Sequence, residues 1–75
     1  MQKRHAQALC DEINALECPY VADLVPFSER RHPDFPFGVR VRHKPSGNEV
    51  GYAGQLSEGH YIVDRLKRQF TRTPA

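Results

Sequence analysis

The chain has no tryptophan, a single methionine, and two cysteines, Cys10 and Cys18. Two cysteines are too few for the disulfide framework that staples a small secreted domain, so they read as reduced thiols in a cytoplasmic protein. There is no continuous apolar run of the roughly 20 residues that a membrane-spanning helix needs. The N-terminal segment opens on Lys3 and Arg4 but turns acidic and amphipathic at Asp11 and Glu12, unlike a signal peptide. Close Cys or His pairs are also missing. Cys10 and Cys18 stand too far apart, and His5, His32, His43 and His60 are scattered, so no metal site is expected.

Catalytic patterns are equally thin. Gly51, Gly54 and Gly59 are spread along a strand and a helix start, not gathered into a loop that could cradle phosphate. Cys18 precedes Pro19 at a helix C-terminus, where the helix dipole disfavours a thiolate. His32-Pro33-Asp34 sets a histidine near an acid in a loop, a common surface pairing with no nucleophile attached. With 75 residues, the chain is also short for enclosing a substrate pocket of ~300 Å³ or more. No enzyme activity, cofactor or small-molecule substrate is expected.

What is present suits one small globular domain over residues 1–75. Hydrophobic residues make up 39% and charged residues 27%, which is not the balance of a disordered chain. A core of this size supplies about 3–5 kcal/mol without staples. Eleven Lys and Arg face nine Asp and Glu, for a net charge of +2. That surplus permits an anionic partner without requiring one.

Helical periodicity is clearest from Gln2 to Glu17, where Ala6, Leu9, Cys10, Ile13 and Leu16 fall on one stripe. Pro19 ends it. Tyr20–Val25 is rich in strand formers and reads as the first strand, apolar on both sides. Pro26–Pro36 carries three prolines and a charge cluster and reads as a loop, tucked to the core by Phe27, Phe35 and Phe37. It is long for a connection in so small a domain. A last helix starts near Ser57, the expected N-cap, with Glu58 in the first turn. Its stripe is Ile62, Val63, Leu66 and Phe70, and residues 71–75 form a frayed tail.

Phe37 to Gln55 reads as a β-hairpin. Val39 and Val41 alternate with Arg40, Arg42 and Lys44, the period-two pattern of a half-buried strand. Its register is contested. The turn chemistry of Pro45-Ser46-Gly47 favours pairing Lys44 with Asn48, with Gly47 in the left-handed region. That pairing puts Val50 and Tyr52 on the arginine face. The hydrophobic pattern favours pairing Lys44 with Glu49, which brings Val50 and Tyr52 beside Val39 and Val41. A slip of one residue exchanges the faces, and burial favours the second register.

The expected fold is therefore α+β, in the order α-β-β-β-α. It is a three-stranded antiparallel meander with the N-terminal and C-terminal helices on one sheet face. Double-stranded RNA-binding domains share that order of elements. They lead into the last helix with lysines, where this chain has Ser57-Glu58-Gly59-His60, so the likeness is one of topology.

Two surfaces follow. The apolar surplus and the open sheet edges point to a protein interface, a homodimer included. The alternative is nucleic-acid binding on a basic sheet face through Arg40, Arg42 and Lys44, helped by Arg30 and Arg31 from the loop and by Tyr52 if it shares that face. Asp23 and Glu49 are placed to neutralise part of that row.

Overall fold

The computed structural model describes residues 1–26 and 36–70. Its elements are α1 (Lys3–Asn14), β1 (Tyr20–Val25), β2 (Gly38–His43), β3 (Glu49–Ala53) and α2 (Leu56–Phe70). The strands form one antiparallel sheet in the order β1-β2-β3, so the α-β-β-β-α expectation holds.

The α1 stripe expected from periodicity is the buried face: Ala6, Leu9, Cys10 and Ile13. The helix stops at Asn14 rather than Glu17, with Ala15 at its C-cap. Asn14 is already committed elsewhere. Its side-chain nitrogen donates to the Ala22 carbonyl at 3.0 Å, and its side-chain oxygen accepts from the Ala22 N–H at 2.8 Å.

One core joins all five elements. Ala6, Leu9, Cys10 and Ile13 meet Ala22 of β1, Val39 and Val41 of β2, Ala53 of β3, and Val63 and Leu66 of α2. The strand residues of this set share one side of the sheet, because Ala22 pairs with Val41 and Val39 with Ala53. Both helices therefore cover the same face. α1 lies over β1 and β2, α2 over β3, and the helices touch each other. Lys67 and Glu12 link them at 3.6 Å.

α2 begins at Leu56, not after Ser57. The Glu58 carboxylate accepts from the Gln55 N–H at 3.0 Å, closing one half of a capping box in which Gln55 is the N-cap. Ser57 lies inside the first turn.

The hairpin resolves its register with an extra residue. The loop Lys44–Gly47 is closed by His43, whose N–H donates to Asn48 (2.9 Å) and whose carbonyl accepts from Gly47 (2.7 Å). Gly47 takes φ +72, as the turn chemistry required. Beyond the loop, Arg42 stands opposite Glu49 but Val41 stands opposite Gly51, so Val50 is bulged out. The strand then continues with Arg40 opposite Tyr52 and Val39 opposite Ala53. The pairing that placed Val50 and Tyr52 beside Val39 and Val41 is thus corrected. The reason is space beneath α2. A Cβ added to Gly51 would already touch Val41 and Ile62 at 3.8 and 3.9 Å, and Ala53 is fully buried. Small residues let α2 sit on the sheet there; valine and tyrosine would hold it away.

The loop residues 27–35 and the tail 71–75, with Phe27, Arg30, Arg31 and Phe35, lie outside the described residues. No helix of the described residues is long and apolar enough to cross a membrane.

Candidate functional site

The sequence places its described candidates on or beside the sheet face away from the helices. Pairing brings Asp23, Arg40 and Tyr52 into one row across the three strands, with Arg42 one step along beside Glu49. Arg42 donates to the Asp23 carboxylate, and the Arg40 guanidinium lies 3.8 Å from the same oxygen. Asp23 is thus shared by two arginines, and much of the row's positive charge is answered from within the face. Lys44 does not extend the row. It sits in the turn, exposed, with its backbone N–H on the Pro19 carbonyl at 2.8 Å.

Tyr52 does join the arginine face, but it lies down on it. A Cβ built on Gly38 would fall 2.5 Å from the Tyr52 Oη and 2.8 Å from Cζ. The ring is therefore folded across Gly38, and its hydroxyl is buried. A tyrosine held this way offers less of its face for base stacking than a projecting one. Val25, on the same side of the sheet, is only 4% exposed although it stands outside the main core. The apolar surplus of β1 is therefore not an exposed strip.

The exposed apolar surface lies elsewhere, where the sequence had not placed it. Among the described residues the large hydrophobic side chains left open are Val50 (57% exposed) and Tyr61 (66%). Both line one groove between β3 and α2. That open groove has a volume of about 350 Å³, and Gly51, Ile62, Arg65 and Leu66 are among the other residues that line it. Val50 is exposed because the bulge lifts it out of the strand's alternation. Tyr61 is exposed because it falls beside, not on, the α2 stripe of Gly59, Val63 and Leu66. The one sequence signal for this surface was an aromatic residue off the helix stripe.

The two sheet edges are not equivalent. On β1, Asn14 takes both backbone groups of Ala22, and the Cys18 thiol reaches the Tyr20 carbonyl at 3.6 Å. The Lys44–Pro19 bond sets the alternation of the ladder: residues 38, 40 and 42 face β1, while 39, 41 and 43 face β3. The Tyr52 backbone therefore points outward on the β3 side. That edge is short and bulged at Val50.

Both cysteines are free thiols. Burial first, then the nearby charges of Asp23 and Asp11, push the Cys10 thiol up to about 11. A neutral, buried thiol of this kind behaves as a small hydrophobe. Among the described residues no cluster of His, Cys, Asp and Glu could hold a metal ion. The chain matches no protein family model, no curated protein and no solved structure.

Proposed function

We propose that this chain is a non-enzymatic protein-interaction module, acting in the cytoplasm, and that its contact surface is the β3–α2 side. The observation that carries the reading is the pairing of Val50 and Tyr61, two large apolar side chains open to solvent on the walls of one groove. Isolated exposed hydrophobics are ordinary, but two flanking a concave apolar floor make a site that gains by being covered. An aromatic beside a pocket is also the residue type that dominates protein contacts.

The test separates folding from binding. Val50→Ser and Tyr61→Ala are expected to leave the circular dichroism spectrum and melting temperature nearly unchanged, because exposed substitutions cost about 0.5 kcal/mol or less. A photo-cross-linking residue at position 61 is expected to form a protein adduct in the native cell, and Val50→Ser is expected to reduce it. No adduct from position 61 would reject the reading.

A second reading, nucleic-acid binding on the open face, is favoured by one observation: Tyr52 shares that face with Arg40 and Arg42. Against it stand the ion pairs of both arginines with Asp23. Phosphate-driven binding of oligonucleotides must weaken steeply with salt and drop in Arg40→Ala/Arg42→Ala. An absence of binding at low salt removes it.

A further inference from the structure

We infer that the occupant of the β3–α2 groove is a second copy of this chain, its α2 lying antiparallel to the first across a two-fold axis near Tyr61 and Ile62. The inference rests on the interaction reading above and names its partner.

Self-complementarity is the first argument. An isologous contact requires one patch to carry both halves of every interaction. Here it does. Tyr61 projects from the same surface that holds the groove, so each protomer offers a ring and a cavity for a ring. Along α2, Glu58, Tyr61, Ile62 and Arg65 follow at three- and four-residue spacing and lie on one face. An antiparallel pairing that sets Tyr61 against the partner copy's Ile62 also sets Glu58 against the partner copy's Arg65. Acid and base stand at opposite ends of one short stripe, as a two-fold contact demands. Arg65 makes no ion pair among the described residues, so its charge is available.

The second argument is position. Asn14 and Cys18 occupy the outer side of β1, whereas the groove and the α2 stripe lie on the β3 side. The β3 bulge limits how long a shared ladder could run, so the helix faces carry most of the contact. A stripe this short puts the buried area at the low end of stable interfaces. The dimer is therefore concentration-dependent.

Sedimentation equilibrium of the full chain over a concentration series is expected to rise from 8.6 kDa towards twice that mass. Tyr61→Ala is expected to hold it at the monomer mass. The decisive arm uses charge. Arg65→Glu places acid against acid at both ends, and Glu58→Lys places base against base. Each variant alone is expected to stay monomeric; Arg65→Glu keeps its helical spectrum, whereas Glu58→Lys also loses the Gln55 cap and melts lower, so its association is read well below its midpoint. An equimolar mixture of the two is expected to associate, because each end of the mixed pair then matches. A parallel or unrelated contact gives no such rescue.

A wild-type chain that is monomeric at every concentration overturns the second copy as occupant. So does a dimer indifferent to Tyr61→Ala, or a mixture that fails to associate. Cross-linking from position 61 then separates the two levels. An adduct with a different protein keeps the interaction reading and overturns the dimer; no adduct of any kind overturns both.

Discussion

The side chain of Asn14 pairs with the backbone of Ala22 as a neighbouring strand would, donating to the carbonyl and accepting from the N–H. One residue at the end of α1 thereby closes the middle of the β1 edge and fixes the helix over the sheet. Asn14→Ala leaves two partly buried backbone groups unmatched. The expected cost is about 1–3 kcal/mol, read as a lower urea midpoint with an unchanged slope. A variant as stable as the parent would mean that water replaces the amide without penalty.

Gly38 and Tyr52 are coupled in the same manner across the β2–β3 pair. A methyl group at position 38 meets the phenol ring well inside contact distance, so Gly38→Ala must turn Tyr52 off the face. The expected loss is about 1–3 kcal/mol. In a Tyr52→Ala background the same substitution should cost much less, and the double-mutant cycle should report a coupling of about 1 kcal/mol or more. Additive effects would place the tyrosine ring somewhere other than over Gly38.

The legible part of this structure is the part with a period. Ala6, Leu9, Cys10 and Ile13 announce one helix, Val63 and Leu66 the other, and Val39 with Val41 the central strand; the core is built from these. Element order and the shared helix face follow from them. The register of β3 does not, because it depends on how closely α2 approaches Gly51 and Ala53, a distance that no local pattern encodes. Turn chemistry at Gly47 and hydrophobic alternation at Val50 pulled in opposite directions; the turn's register prevails through Tyr52 and Ala53, and Val50 is left exposed at the bulge. The groove follows from that bulge, so it was invisible for the same reason. The arginine row was visible, as was Asp23 as its neutraliser. That one carboxylate serves both arginines needed the pairing of Asp23 with Arg40.

Helix packing gives a third expectation. A Cβ on Gly59 would run into the end of the Leu9 side chain, which is buried between α1 and α2. Gly to Ala in a helix normally stabilises by about 1 kcal/mol. Gly59→Ala should instead lower the thermal midpoint, and Leu9→Val in the same chain should recover part of the loss by shortening the obstructing side chain. A midpoint raised by Gly59→Ala alone would show that the two helices stand further apart than described.

Asp23 is about one-third exposed, and so are its partners. Solvent screens such a cluster, so Asp23→Asn should cost no more than about 1 kcal/mol. The larger effect is on the face itself, which gains a full positive charge. The loss of stability should shrink in 1 M salt, where screening acts within about 3 Å. A loss of several kcal/mol that is independent of salt would assign Asp23 a packing role instead of an electrostatic one.

The two thiols should separate by chemistry. Cys18 is half-buried, whereas Cys10 is 2% exposed in the core and its thiol is held neutral up to about pH 11. Iodoacetamide at pH 8 is expected to modify Cys18 in the native protein and to reach Cys10 only in denaturant, because the thiolate is the nucleophile. The same shift has a sign for stability. The folded chain holds the Cys10 proton more tightly than the unfolded chain, whose thiol titrates near 9.0. The contribution is therefore complete below pH 9 and is lost as the pH rises through 9 to 11. The measurement is the difference between the parent and Cys10→Ala, which isolates this thiol. The parent should fall more steeply with pH across that interval, and parallel curves would show that Cys10 has the same proton affinity folded and unfolded.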